Sequence, residues 1–201
     1  MKTSARPAPF IHQPTLVTSE WFLGHRLSYL AGNAETGGMI CLMDALQRNR
    51  CLAPPHVHEH EHEWFYVLDG IVHFEAGDTG ARLGPGGMAF LPRGVAHAYS
   101  FAGDTARLLI GVLPGHFEVF FRRFGRPAGH LGLPPAPCDA PDPATMNRFG
   151  AGLGMHALPG RTPVSAWTAP GDALRPVFVE RDSLPPINVL GTQMRVLLDA
   201  D

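Results

Sequence analysis

The residues best suited to chemistry lie in two short segments, residues 54–70 and residues 92–97. His56 and His58 are two positions apart, so on a strand both side chains project from the same face. Glu63 opens the next apolar run, and a turn after His58 lets its carboxylate face the same interior. His97, in the second segment, supplies a fourth donor. Imidazole nitrogens with a carboxylate oxygen favour one divalent transition metal, such as iron, nickel, cobalt, manganese, copper or zinc.

Two further histidines, His60 and His62, lie between His58 and Glu63 and could compete as ligands. Spacing alone leaves that choice open. A chance histidine-rich loop is the alternative for the whole cluster, but it does not account for His97.

Other chemistries find little support in the sequence. The glycine-rich stretches 84–87 and 150–154 lack a strand-to-helix context with a downstream acidic residue, which argues against dinucleotide binding. No Ser-His-Asp or Cys-His arrangement has spacing behind it. The formal net charge is −2 and no basic stripe is present, so nucleic acid is not expected as a partner. The three cysteines, an odd number without a C-x-x-C pair, imply neither a disulfide framework nor a zinc ribbon.

Location is predicted from the absence of two kinds of segment. No continuous apolar run follows the N-terminal Lys and Arg, so a signal peptide is not indicated. No apolar stretch approaches the roughly 18 residues of a membrane span. A cytoplasmic protein without membrane partners is therefore expected.

The elements that must position the donors read as short strands. Glycine and proline number 23 and 20, which favours many turns over a helical bundle. Turn residues separate seven apolar runs, and no helical pattern interrupts them. The predicted strands are residues 26–31, 39–45, 64–68, 71–76, 87–91, 96–101 and 106–112. Such spacing predicts an all-β antiparallel sandwich or barrel.

The pattern changes after the last of these strands. Phe117, Phe120, Phe121 and Phe124 fall at helical spacing, which predicts a helix laid against the barrel through an aromatic core-packing face. Residues 126–143 are rich in proline and read as a connector. Asp142-Pro143 then offers an N-cap followed by proline, so a short helix is expected from about Pro143.

The two donor segments resemble the cupin superfamily, whose first motif is G, five residues, H-x-H, three or four residues, E, six residues, G. His56, His58, Glu63 and Gly70 match it, whereas Arg50 stands at the usual opening glycine. The second motif is G, five residues, P-x-G, two residues, H, three residues, N. Its matching residues are Gly86, Pro92, Gly94 and His97, and Phe101 replaces the final asparagine. The resemblance implies a cupin jelly-roll barrel with one or two C-terminal helices.

The resemblance also settles the register. Glu63 begins a segment similar to the family's E-x-F-Y-V-L-x-G, which identifies Glu63 as the ligand and leaves His60 and His62 in the connecting turn. There they are interpreted as surface histidines, with roles behind the ligands or in a proton relay as the alternative.

Residues 25–125 are similar to the quercetin 2,3-dioxygenase group. They contain P-P-H-V-H, P-R-G-V-A-H-A-Y and the helical G-H-F-E-x-F-F-R-x-x-G. This resemblance implies an oxidoreductase that cleaves a flavonol or a similar enolised aromatic with molecular oxygen and a divalent metal. Glu63 would then be both a ligand and a general base. The alternatives are a cupin isomerase or decarboxylase that works without oxygen, and a non-catalytic metal-binding cupin.

Strand alternation predicts the walls of the substrate pocket. Counting by twos from Glu63 places Phe65 and Val67 inside, and counting from His97 places Tyr99 and Phe101 inside. A flat aromatic substrate could stack against Phe65 and Tyr99. Another wall is hypothesised from Met39, Cys41 and Met43, for which simple core packing is the alternative.

A weak internal repeat completes the organisation. The segment that begins at Gly191 resembles the one at Gly24, and each follows a Pro-x-x-Val segment. We therefore expect a cupin barrel with its helix over residues 1–125, a connector over 126–186 and the opening strand of a truncated second cupin over 187–201, a coincidental strand being the alternative. That apolar strand is expected to dock on a barrel edge, and its exchange between two copies would give a homodimer.

Overall fold

The computed structural model describes residues 8–49, 52–135, 141–158, 174–183, 187–189 and 192–194. The first strands are β1 (Ser19–Phe22), β2 (His25–Ala31), β3 (Cys41–Arg48), β4 (His56–His58), β5 (His62–Asp69), β6 (Val72–Ala76), β7 (Thr79–Leu83) and β8 (Met88–Leu91). They are followed by β9 (His97–Phe101), β10 (Thr105–Leu113), β11 (Arg126–Pro127), β12 (Met155–Ala157), β13 (Val177–Val179), β14 (Ile187–Val189) and β15 (Thr192–Met194). The α-helices are α1 (Asn33–Thr36), α2 (Glu118–Phe124) and α3 (Pro143–Ala151), and a 3-10 turn, Gly115–Phe117, leads into α2.

Two antiparallel sheets form the barrel. The larger sheet has the order β11-β1-β2-β3-β10-β5-β8-β13, and the smaller has the order β12-β4-β9-β6-β7. The chain passes from the larger sheet to the smaller between β3 and β4 and returns between β4 and β5, so the short strand β4 lies opposite its sequence neighbours. The predicted antiparallel β-barrel is confirmed.

All seven predicted strands are present, with ends displaced by at most three residues. The predicted ranges did not include β1, β4, β7, β11, β12 or β13. The strand β7 contains Gly80 and Arg82 and is largely exposed, so it lacks the apolar alternation that marks a half-buried strand. Its pairing with β6 holds it in place.

The core follows the alternation of the strands. Phe65 and Val67 of β5 are buried, at 2% and 0% exposure, while the residues that alternate with them along the strand are only partly buried. Met43 of β3 and Leu108 of β10 face the same interior. The two-residue side-chain period of a strand therefore decides which residues can reach the inside of the barrel.

The aromatic helix packs as predicted. Phe117 and Phe120 are buried, and the ring of Phe120 lies 6.0 Å from that of Phe22 on β1. The other predicted helix, α3, starts at Pro143, and the Asp142 carboxylate accepts a hydrogen bond from the Thr145 N–H at 2.8 Å. This is the N-cap arrangement expected from the sequence.

Three short strands lie within the proline-rich region assigned to a connector. β11 pairs with β1, β12 with β4 and β13 with β8, so each extends an edge of one of the two sheets. Each of these strands is too short to show a periodic pattern of apolar residues in the sequence. Each forms because the edge strand of a sheet supplies its hydrogen-bonding partners.

In the tail, β14 and β15 pair with each other as a separate two-stranded sheet. Most of the remaining tail lies outside the described residues, and the assignment of residues 187–201 to a second cupin stays a prediction. No helix among the described residues has the length and hydropathy needed to cross a membrane.

A buried ion pair holds β2 to β3 on the side of the sheet opposite the core. Arg26 Nη2 donates to Asp44 Oδ1 at 2.8 Å, and both side chains are about 5% exposed or less. Arg107 of β10 binds the same carboxylate but is 47% exposed. Burial disfavours the charged carboxyl, but hydrogen bonds from Arg107 and Arg26 outweigh it and keep the pKa of Asp44 below its usual value. Through its two arginine partners, the Asp44 carboxylate links the neighbouring strands β2, β3 and β10.

Replacing Asp44 by alanine should destabilise the fold by about 3–5 kcal/mol, because Arg26 would stay buried without a counter-charge. Arg107→Ala is the matched control and should cost less than about 1 kcal/mol, since the Arg107 side chain is half exposed. Urea unfolding of both variants measures the difference. Equal losses would show that burial of Arg26 does not decide the stability of this cluster.

Candidate metal centre

Three strands bring together the four residues predicted as ligands. His56 and His58 lie on β4, His97 opens β9 directly opposite His56, and Glu63 is the second residue of β5. Each offers a ligand atom, and these atoms lie within 4.8 Å of one another. His58 and His97 are 1% exposed and Glu63 is 5% exposed. A buried three-histidine, one-carboxylate donor set is the result.

The ring nitrogens of the histidines are oriented by hydrogen bonds on their outer sides. His56 Nδ1–H donates to the Pro54 carbonyl at 2.8 Å, and His97 Nδ1–H donates to the Val95 carbonyl at 3.0 Å. Both rings therefore keep an Nε2 lone pair free for a metal. His97 Nε2 lies 3.0 Å from Glu63 Oε2, and His58 Nε2 lies 3.8 Å from Glu63 Oε1.

The charges of the cluster suit a cation. Burial opposes ionisation of Glu63, but the imidazoles of His58 and His97 outweigh it and lower the pKa of Glu63 to about 2. Burial, with help from His97 and His58, lowers the pKa of His56 to about 3. At neutral pH Glu63 is thus a carboxylate and His56 a neutral imidazole, the forms that bind metals. The donor set fits a divalent metal.

The remaining histidines of the motif lie away from the donor set. The His60 side chain is 64% exposed and lies 3.9 Å from the Glu59 carboxylate. His62 Nδ1 accepts a hydrogen bond from the Arg93 N–H at 3.2 Å, and its ring stacks on Phe90. His60 lies in the connecting turn, as expected, whereas His62 is the first residue of β5 and not part of the turn. Neither belongs to the group of four donors.

The backbone conformation explains why two positions of the motifs are glycine. Gly94 has φ of 76° and donates its N–H to the His58 carbonyl at 2.7 Å, which ties the turn before β9 to β4. Gly70 has φ of 88° in the turn after β5, where an added Cβ would lie 3.0 Å from the Thr105 carbonyl oxygen. Both positions disfavour any side chain.

The sequence departs from each cupin motif at one position. Phe101, at the usual asparagine, is buried, and its backbone N–H and carbonyl are both bound by the side chain of Asn49. An asparagine from the end of β3 thus clamps this part of β9. Arg50, at the usual glycine of the first motif, lies outside the described residues.

A cavity of about 270 Å³ opens from the donor set and is mainly apolar. Phe65 and Tyr99 line it, as alternation predicted, and their ring centroids are 5.2 Å apart. Phe117 also lines it, with its ring edge-on to His58 at 4.5 Å between centroids. The aromatic helix therefore has a second role beyond core packing, as a wall of the cavity beside a ligand.

Four residues predicted as pocket walls do not line the cavity. Val67 and Phe101 face inward but lie further along β5 and β9 from the ligands, in the packed core. Cys41 is fully buried, and burial raises the pKa of its thiol. Met39 precedes β3 and is 61% exposed. Side-chain parity predicted the face correctly for Val67 and Phe101, but it carries no information on depth.

Met43, the third residue of the hypothesised wall, does line the cavity, together with Gln47 of β3. Gln47, Met146 of α3 and Met155 of β12 were not identified from the sequence, because they come from segments distant along the chain. Leu23 also contributes, from a two-residue turn in which it adopts φ of 50°. Thioether side chains adapt to irregular ligands, a property shared by these three methionines.

Comparisons with known proteins match parts of the chain. Residues 45–112 match the family model for a cupin domain. A quercetin 2,3-dioxygenase of Bacillus subtilis (strain 168) is 32% identical over 108 residues, which is 53% of this chain and 32% of the relative. The matched part thus spans about a third of the length of that curated relative.

Solved structures with related folds are more distant. A serine-to-alanine variant of Bacillus subtilis oxalate decarboxylase is 17% identical with a TM-score of 0.46, covering 58% of this chain and 33% of that one. An RmlC-like cupin from Shewanella frigidimarina is 16% identical with a TM-score of 0.46, covering 57% of this chain and 99% of that one. Residues 45–112 thus match the cupin-domain family model, and about half of the chain is similar to part of a quercetin 2,3-dioxygenase.

Proposed function

We propose that this protein is a metal-dependent dioxygenase that cleaves a flavonol-like or enolised aromatic substrate with molecular oxygen. The observation that carries the proposal is the position of the buried donor set at one end of an apolar cavity walled by aromatic rings. The partial identity to a quercetin 2,3-dioxygenase supports the same reaction class. A divalent metal held by His56, His58, Glu63 and His97 would supply a Lewis acid that favours ionisation of a substrate hydroxyl.

Glu63 is placed to take the proton of that hydroxyl. It is the one carboxylate of the donor set, and its side chain lines the cavity in which the substrate would lie. Its two oxygens face different imidazoles, His97 and His58, so one oxygen can accept a proton while the other keeps its neighbour. Glu63 therefore serves as ligand and general base.

The walls of the cavity orient a flat ring system. Phe65 and Tyr99 present neighbouring aromatic surfaces on one side, and Phe117 presents another beside His58. Ring stacking in such a slot excludes water from the reacting carbon atoms and fixes the substrate relative to the donor set. Burial raises the pKa of the Tyr99 phenol, which stays protonated and able to donate a hydrogen bond.

The cavity also weighs against the alternative of a decarboxylase for small dicarboxylic acids. Among the described residues, the cavity lining contains no lysine or arginine. A small anionic substrate would enter an apolar space without a counter-charge other than the metal, which is costly. An isomerase or a non-catalytic metal-binding domain would use the same donors without consuming oxygen.

Metal removal followed by an oxygen-electrode assay tests the reaction class. The purified protein should contain close to one equivalent of a divalent transition metal, and a flavonol should cause oxygen uptake that chelation abolishes and metal restores. Turnover of an enol substrate without oxygen uptake would favour the isomerase or decarboxylase. Metal binding without turnover of any member of the panel would favour the non-catalytic domain.

Glu63→Gln should abolish turnover, because an amide cannot accept the substrate proton. The fold should be retained and metal binding weakened only moderately, since three imidazoles remain. Glu75→Gln, at an exposed glutamate of β6, is the matched control and should leave kcat unchanged. Near wild-type activity of the Glu63 variant at equal metal content would contradict the general-base role.

Phe65→Ala should raise KM mainly, because it removes stacking area and leaves every metal ligand in place. Val67→Ala, two residues further along β5 and outside the cavity lining, provides the control for general loss of core packing. Steady-state kinetics at matched metal content separates the two effects. A fall in kcat with KM unchanged would assign the Phe65 ring a role in the chemical step.

A further inference from the structure

We infer that Glu61, which lies in the turn between β4 and β5, is a positioning residue that holds His58 in its metal-binding orientation. Glu61 Oε2 lies 3.4 Å from His58 Nδ1, on the side of the ring opposite Glu63. The side chains of His58 and Glu61 are 1% and 5% exposed. The inference rests on the metal site of the proposed function and extends it to a residue outside the ligand set.

The three histidines are anchored differently on their outer sides. His56 and His97 each donate Nδ1–H to a backbone carbonyl two residues earlier in the chain. Among the described residues, neither His58 Nδ1 nor Glu61 Oε2 has a hydrogen-bonding partner, and the two buried atoms lie 3.4 Å apart. Burying both groups unpaired is costly, so each is the natural partner of the other.

The adjacent carboxylates behave differently, which singles out Glu61. Glu59 is two residues earlier, its side chain is 55% exposed, and it contacts the surface histidines His60 and His156. Glu61 instead turns inward beneath β4 and is 4% exposed. Burying a carboxylate without a partner is costly, so the inward position of Glu61 is explained only by a specific contact.

The contact has a chemical consequence for the donor set. A carboxylate behind an imidazole keeps the ring proton on Nδ1, so the Nε2 lone pair is directed to the side of Glu63. The same carboxylate offers His58 a charged acceptor, whereas His56 and His97 donate to neutral carbonyl oxygens, and hydrogen bonds to a charged acceptor are the stronger ones. Cation binding at Nε2 would draw positive charge onto the ring and shorten the Nδ1–H to Oε2 hydrogen bond.

Cobalt binding tests this inference, with Co²⁺ alone as the probe. Glu61→Gln should weaken Co²⁺ binding by about 10–100-fold and shift the visible d–d absorption bands of the cobalt protein. The melting temperature of the metal-free variant should match that of the wild type, which separates a positioning role from a structural one. Glu59→Gln should leave the dissociation constant and the bands unchanged.

The outcomes separate this inference from the proposed function. A wild-type protein that does not bind Co²⁺ overturns both. A wild-type protein that binds, with a Glu61→Gln variant whose dissociation constant is within twofold, overturns the role of Glu61 and leaves the metal site intact.

A measurement on the wild-type chain covers the case in which the variant does not fold. In the Zn²⁺-loaded protein, long-range ¹H–¹⁵N spectra should show a proton on Nδ1 of His58, resonating further downfield than the Nδ1 protons of His56 and His97. A His58 ring that carries its proton on Nε2, or whose Nδ1 proton is the least shifted of the three, overturns the inference.

Discussion

The burial of one carboxylate among three imidazoles is the interaction on which the rest of the site depends. Glu63 is almost inaccessible to water, and an isolated charge there would be strongly disfavoured. The neighbouring imidazoles of His58 and His97 reverse that balance and keep it ionised. The barrel must therefore hold three strands in register around a single point, since a displacement of one residue would move a donor to the opposite face.

The two sheets share this task. The smaller sheet supplies the histidines, through the direct pairing of His56 with His97, and also Tyr99, whereas the larger sheet supplies Glu63 and Phe65. The turns between them are pinned by backbone hydrogen bonds, such as the one from Gly94 to the His58 carbonyl. Long-range pairing of this kind makes the donor geometry a property of the whole barrel rather than of either motif.

The segments after α2 change the character of the cavity. Met146 of α3 and Met155 of β12 line the cavity together with Phe120 and Phe121 of α2. Apolar side chains beside the donor set lower the local polarity, which strengthens electrostatic interactions there. The region that reads as a connector thus helps to define what the site can bind.

The barrel and the pairing of His56 with His58 on one face were predictable because they depend on local signals, whereas Glu63 was singled out by the resemblance of its segment to the cupin motif. Turn residues separate the strands, H-x-H spacing places His56 and His58 on one face, and alternation from Glu63 and His97 places Phe65 and Tyr99 inside. Depth was not predictable, and Val67, Phe101 and Cys41 proved to be core residues because parity specifies a face and not a distance from the cavity. The partners that sequence reasoning missed, Glu61 behind His58 and the methionines over the cavity, are decided by tertiary structure. Their positions depend on which way a turn folds and on which edge a short strand finds to pair with, and neither leaves a periodic pattern in the chain.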